Sequence, residues 1–454
     1  MDLLIILPAF LVTIGILVTV HEFGHYWVAR KLGVKVLRFS IGFGKPLWKR
    51  VSGEDQTEYV VAALPLGGYV KMLDEREGEV AEEEIHRAFN RQSVWTRIAI
   101  VAAGPVANFI LAIFIYAVMF GTGVPAMQPF VHASNDSPAQ LAGFEAGDKI
   151  LSINELKVAT WEETRMLLLE EYLNSPQLTI LVETQKGQQA ERVLDLGAAQ
   201  LLKKEGDFLK ESGLQFWSPE YGVRLGNLSP DGAAQAAGLK FRDTVLAIDG
   251  NKLERADDLI SYVQSHAGQE ISFKVQREEG TTDILVTPAP VLVNGKEIGR
   301  IGSGIGEFVP EHVLDELEFT QSFGPVDSVV RGVERTWQMS VVTLKLMGRM
   351  LTGEVSLKNI SGPITIARFS GETVMAGLPY YLGFLAIISI SLGILNLLPI
   401  PMLDGGHLLY YIIEIIKGSP VSERVEEYGF RFGMALVACI MVLALYNDFM
   451  RLLT

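Results

Sequence analysis

Leu3 to Val20 form an uncharged stretch of 18 residues that runs straight into His21-Glu22-Phe23-Gly24-His25. At ~1.5 Å per residue, a helix of that length crosses a bilayer. Positions i and i+4 share one face of a helix, so His21 and His25 can reach a single metal ion. Glu22 then stands near the attacking water and can take its proton. Metal ligands at the end of an apolar span point to hydrolysis conducted inside the bilayer. The stretch does not resemble a cleaved leader. It starts with Asp2 where a basic residue would be expected, and no small-residue cleavage site precedes His21.

Composition agrees with a membrane protein that carries soluble modules. Hydrophobic residues make up 49% of the 454 residues, yet 20% are charged. The net charge of -14 argues against a nucleic-acid partner. Cys439 is the only cysteine and lies in an apolar run, so no internal disulfide forms and its expected role is packing.

Further apolar segments follow at Ile98–Gly121, between Glu372 and Asp404, and at about Tyr428–Asn447, where Arg431 interrupts the start. The fold class expected is a multi-span α-helical membrane protein with four transmembrane helices. Arg30, Lys31, Lys35, Arg38, Lys45, Lys49 and Arg50 fill the first connection without an acidic residue, which makes it a cytoplasmic loop. Both termini and the long region from about 122 to 372 are then external.

That external region contains a repeat. Ala142-Gly143-Phe144-Glu145-Ala146-Gly147-Asp148 and Ala237-Gly238-Leu239-Lys240-Phe241-Arg242-Asp243 stand 95 residues apart. Each copy continues into a helical pattern (161–172 and 256–266) and an alternating hairpin, turning at Lys186-Gly187 and at Glu279-Gly280. Two β-rich α+β domains are expected, over 122–216 and 217–310. Their signature resembles PDZ domains of bacterial envelope proteases, and Tyr221, Gly222 and Val223 fall where such a domain has its ligand loop. Arg242 in place of Gly147 departs from the pattern. Apolar positions at helical spacing over 325–351, with Arg331, Arg335 and Lys345 among them, suit an amphipathic helix. It fits the outer membrane–water interface and a face of the soluble domains equally well.

A catalytic zinc usually has three protein ligands, so a third is needed. Asp404, in Asn396-Leu397-Leu398-Pro399-Ile400-Pro401-Met402-Leu403-Asp404-Gly405-Gly406, ends a span running in the same direction as the first and therefore lies at the depth of His21 and His25. A carboxylate there is costly unless paired or metal-bound. Pro399 and Pro401 break the helix before it, as suits a chain lining a cavity. Asn396 can hydrogen-bond a substrate backbone or an oxyanion. Thr57–Leu73 is expected as two short strands around Pro65 and Gly67-Gly68, with Gly67, Gly68 and Tyr69 holding an unwound substrate by strand addition. The small residues Gly104-Pro105-Val106-Ala107-Asn108 let the second span approach the first, with Asn108 expected as packing glue.

Together these motifs resemble the site-2 protease family of intramembrane zinc metalloproteases over essentially the whole chain. The resemblance implies one zinc ion held by His21, His25 and Asp404, with Glu22 activating water and Asn396 touching substrate. It implies a membrane-associated β-hairpin beside the site and two periplasmic PDZ domains in a bacterial inner-membrane protein. The domains are then 1–121, with the metal helix, the cytoplasm-side β-region 57–73 and the second span; the two PDZ-like modules; 311–372, a periplasmic interfacial region; and 373–454, with two spans and the Leu-Asp-Gly motif. Implied partners are the lipid bilayer, a transmembrane anti-sigma factor already cut outside the membrane, and remnant signal peptides; the sequence leaves the oligomeric state open, with a monomer as the expectation. A different class of function also fits the repeat: a membrane-tethered tandem-PDZ receptor or scaffold whose metal site is structural.

Overall fold

The computed structural model describes residues 3–197, 208–253, 255–277, 280–293 and 296–453. Glu279, expected in a hairpin turn, and the stretch 198–207 lie outside the described residues. One compact unit comprises Met1–Pro125 and Thr320–Thr454, and a second comprises Ala126–Ala199 and Asp207–Phe319.

The first unit is helical. Its elements are α1 (Leu3–Lys31), β1 (Val36–Ser52), β2 (Thr57–Met72), α2 (Val94–Thr122), α3 (Pro325–Leu351), α4 (Pro363–Ala376), α5 (Leu378–Leu397), α6 (Asp404–Lys417) and α7 (Glu423–Leu453). Four of these, α1, α2, α5 and α7, are long and apolar enough to cross a membrane. Their outward faces keep Ile110, Phe114, Phe432, Val442 and Phe449 exposed, a surface suited to lipid rather than water. Inside, Leu17 of α1, Ala112, Ile115 and Tyr116 of α2, and Leu385, Ala386 and Ile390 of α5 form one core. Small residues set the distances. A Cβ on Gly24 would stand 2.3 Å from the Ala103 carbonyl oxygen, so only glycine lets α1 and α2 approach this closely.

The basic segment expected as a loop is instead the long strand β1. It pairs with β2, which was expected as two short strands making their own hairpin. Gly42 and Gly44, at φ +92° and +88°, turn β1 back on itself. Phe39 therefore pairs with both Tyr59 and Val70, while Arg50 pairs with Tyr59 further along. The burial along β1 does not alternate: Val36, Phe39 and Ser40 are buried and the run from Phe43 to Val51 is exposed, so the sequence shows no strand period there.

Helix α3 spans the 325–351 segment and packs on α2. A Cβ on Gly332 would come within 2.8 Å of the Ile113 carbonyl oxygen. The small face Ser328, Gly332 and Thr336 is buried, whereas Val326, Val329, Val333 and Trp337 remain exposed.

Asp448, at the far end of α7, caps α4. Its carboxylate accepts hydrogen bonds from Gly362 N (2.9 Å), Ile364 N (2.9 Å), Thr365 N (3.1 Å) and Thr365 Oγ1 (2.6 Å). These donors are free because a helix's first N–H groups have no partner within it. With Asp448 1% exposed, Asp448→Ala should destabilise the protein by roughly 2–3 kcal/mol, because several buried donors lose a charged acceptor. The check is thermal unfolding in detergent, and an unchanged transition would refute the cap.

In the second unit, the repeat becomes two six-stranded sheets of matching order. The first runs Gln189–Asp195, Gln177–Glu183, Asp148–Ile153, Phe130–Ala133, Leu214–Phe216, with Leu156–Lys157 paired to Asp148–Ile153 as the sixth; the second runs Gly280–Val286, Ile271–Arg277, Thr244–Ile248, Gly222–Leu228, Ser303–Phe308, with Asn251–Lys252 paired to Thr244–Ile248. The repeated aspartates hold equivalent turns: Asp148 accepts from Glu145 N at 3.1 Å, and Asp243 accepts from Lys240 N at 2.8 Å. Arg242 takes the left-handed φ of +70° that Gly147 takes at +84°, so the turn survives the substitution at some backbone cost. Tyr221-Gly222-Val223 leads into a strand hydrogen-bonded on both edges, to Thr244–Ile248 and Ser303–Phe308. In this sheet Ser303–Phe308 is an end strand, and the residues leading into it line a cavity of ≈ 560 Å³ with Ile260 and Val263.

Candidate metal centre

The i, i+4 spacing on α1 brings both imidazoles to one point. His21 Nε2 and His25 Nε2 stand 3.3 Å apart. Asp404 Oδ2 lies 3.2 Å from the first and 3.5 Å from the second. Ligand atoms held ~2.0–2.1 Å from one tetrahedral zinc ion are separated by about 3.3 Å, so this triangle has the required size. Asp404 Oδ2 is buried and makes no hydrogen bond, although both nitrogens are near. The atoms converge as ligands do, not as donor and acceptor. Two neutral imidazoles and a carboxylate are also the donor set zinc takes at hydrolytic sites.

Asp404 opens α6, a helix not anticipated from the sequence. The chain reaches it through a tight reversal after α5. Cβ atoms on Gly405 and Gly406 would fall 2.2 Å from the Leu398 carbonyl oxygen and 2.5 Å from that of Ile400. Met402 takes a φ of +100°, a strained value for a residue with a side chain. The Leu-Asp-Gly-Gly sequence is thus a backbone requirement of the turn that presents Asp404.

Glu22 is buried beside His21 and lines a cavity of ≈ 1080 Å³ that also contains His21, His25 and Asp404. Asn396, Gly67 and Gly68 line the same cavity. A Cβ on Gly68 would stand 2.8 Å from Glu22 Cγ and 2.7 Å from the Ser40 carbonyl oxygen, so β2 lies directly against the glutamate. Tyr69 does not line the cavity; it stacks on Phe43 at 6.1 Å and accepts a hydrogen bond from Arg38 at 3.1 Å. Phe43 lines the cavity too, as does His407, whose place after the glycines suggests only a local cap or surface residue. The wall carries charge as well, with Arg97 pairing Glu414 at 2.6 Å.

Helix α2 supports the histidines. The Ile100 carbonyl accepts from His25 Nδ1 at 2.8 Å. Gly104 leaves room for both rings, because a Cβ there would fall 2.2 Å from His25 Nε2 and 2.9 Å from His21 Cε1. The Asn108 amide lies 3.1 Å from His21 Nδ1. These three positions are spaced i, i+4, i+8 and share one helix face. That spacing was present in the sequence, but nothing local revealed which neighbour the face meets.

A buried His₂Asp cluster with an adjacent glutamate, in a cavity among apolar spans, defines a membrane zinc metalloprotease. The chain belongs to peptidase family M50, whose family model matches residues 9–440, and this is the site-2 protease family that its motifs resemble. Among similar proteins is the regulator of sigma-E protease RseP of Escherichia coli (strain K12). It is 41% identical over 447 residues, covering 98% of each chain. Protease RseP of Yersinia pestis is 41% identical over 456 residues and 100% of each chain. The regulator of sigma E protease of Haemophilus influenzae is 39% identical over 448 residues, covering 98% of this chain and 99% of its own. This full-length similarity to proteases favours the enzyme over the scaffold with a structural metal.

Proposed function

We propose that the protein cleaves single-span transmembrane helices within the bilayer. The observation that carries this reading is the convergence of His21, His25 and Asp404 beside Glu22, in a cavity walled by apolar helices and by β2. His21 Nε2, His25 Nε2 and Asp404 Oδ2 hold the zinc. When bound, zinc supplies a Lewis acid that makes water a nucleophile at neutral pH and takes up charge from the scissile carbonyl oxygen. Glu22 accepts the proton from the attacking water and delivers it to the leaving amide nitrogen. Gly67 and Gly68 let a substrate backbone lie close to Glu22, and Asn396 hydrogen-bonds the unwound segment. Tyr69 supports this strand through Phe43 instead of touching substrate.

The basic β1 segment favours a cytoplasmic position, with the active site near that side and the termini and second unit outside. The two repeats act as PDZ modules, either binding peptide ends or excluding bulky substrates. If the second module binds peptide ends, the free edge of Ser303–Phe308 suits a ligand better than Tyr221-Gly222-Val223 does. Since similar proteins are named regulators of sigma-E, the substrate inferred is an anti-sigma factor already trimmed outside, with remnant signal peptides as a second class. The test uses the full-length protein in detergent with a single-span model substrate bearing a short external stub. Stoichiometric zinc, loss of cleavage on chelation and recovery on adding zinc are expected. Cleavage that persists in zinc-stripped protein would refute the proposal.

A further inference from the structure

We infer that Asn108 is a positioning residue for the metal centre: its side-chain carbonyl accepts the His21 Nδ1 proton and so keeps Nε2 of that ring available as a ligand. This rests on His21, His25 and Asp404 being the zinc ligands. A neutral imidazole carries one N–H. To bind metal through Nε2 it must hold its proton on Nδ1, and that proton needs an acceptor. For His25 the acceptor is the Ile100 carbonyl at 2.8 Å. For His21 the polar group against Nδ1 is the Asn108 side-chain amide, which in this structure turns Nδ2 to the ring at 3.1 Å, so the inferred contact requires the half-turned amide.

An amide's oxygen and nitrogen exchange places by a half-turn, and the hydrogen-bond network decides between them. With nitrogen toward the ring, the His21 proton is forced onto Nε2, where it points into the cluster and blocks ligation. With oxygen toward the ring, the Nε2 lone pairs of both histidines face Asp404 Oδ2. In the recorded orientation the atom turned away from His21 is Oδ1, which is buried and has no hydrogen-bond partner among the described residues. Asn108 is 0% exposed, among neighbours such as Ala112 and Ile115 that pack α2 without polar atoms. A residue serving only to pack would not carry that cost. The backbone beneath the amide is fixed too, because Ser389 Oγ of α5 donates to the Asn108 carbonyl at 2.8 Å.

The experiment is a zinc-affinity measurement by chelator competition on the full-length protein in detergent, with thermal unfolding followed in parallel. Asn108→Leu removes the acceptor at similar volume, and Asn108→Ala removes it without adding bulk should leucine prevent folding. Asn108→Asp keeps an acceptor oxygen. The expected result is affinity weaker by about 10–100-fold in the Leu and Ala variants, and close to or above wild type in the Asp variant. Wild-type affinity in the acceptor-free variants would overturn the inference. An equal loss in the Asp variant would also overturn it, since only packing would then be at stake. Wild-type protein without zinc would refute the ligand assignment itself, a failure separable from this one.

Discussion

Glu22→Gln protein should fold, hold its full zinc complement and fail to cleave. Glutamine matches glutamate in shape, so the contacts with Gly68 and around α1 persist. Glu22 is not one of the three converging ligand groups, so metal content should not change. What disappears is a basic oxygen next to the attacking water. A positioned general base is worth about 10²–10⁴-fold, so the cleavage rate should fall by at least that range. Zinc content by mass spectrometry and cleavage of the stub substrate read the two effects separately. Activity within a few-fold of wild type would assign the base elsewhere in the cavity.

Gly104→Ala should remove zinc binding while leaving the helix intact. Local propensity predicts the opposite sign of effect, since alanine is favoured over glycine in a helix by about 1 kcal/mol. Tertiary contact decides it. The added methyl carbon would lie 2.2 Å from His25 Nε2 and 2.5 Å from His25 Cε1, inside contact distance. Because His25 is also tethered to the Ile100 carbonyl on the same helix, the ring can escape only by leaving the ligand position. Zinc affinity should fall by more than about 100-fold, beyond the usual cost of disturbing an outer-shell partner. Gly348→Ala, on α3 with open space around it, is the matched control and should change nothing. Equal zinc affinity in the Gly104 and Gly348 variants would refute the close packing of α2 on the histidines.

Much of the site was legible because its parts are written in short-range spacing. His21, Glu22 and His25 follow one helical turn, and the apolar run before them sets where they sit. The repeat was legible because two copies share one register, down to Asp148 and Asp243 in equivalent turns. Asp404 was reached by counting spans, a long-range argument that worked because every span must cross the same slab. Helices α4 and α6 escaped notice. Each is a short helix of 14 residues next to a span, and local hydropathy merges them with it. Strand β1 escaped because its charges suggested a loop, whereas its pairing depends on glycine turns that fold it against β2. Tyr69, expected with Gly67 and Gly68 to hold substrate by strand addition, has its ring stacked on Phe43.

The sequence alone singled out the candidate groups for the chemistry: two histidines, a glutamate and a distant aspartate among apolar spans, with a duplicated β-rich module between them. Only the tertiary structure decided how those groups are held. The carbonyl on His25 belongs to a residue 75 positions away, and the amide on His21 to one 87 positions away. Periodicity says which side chains share a face. Which face meets which depends on helices approaching through Gly24 and Gly104, and that closeness is a property of the packed whole.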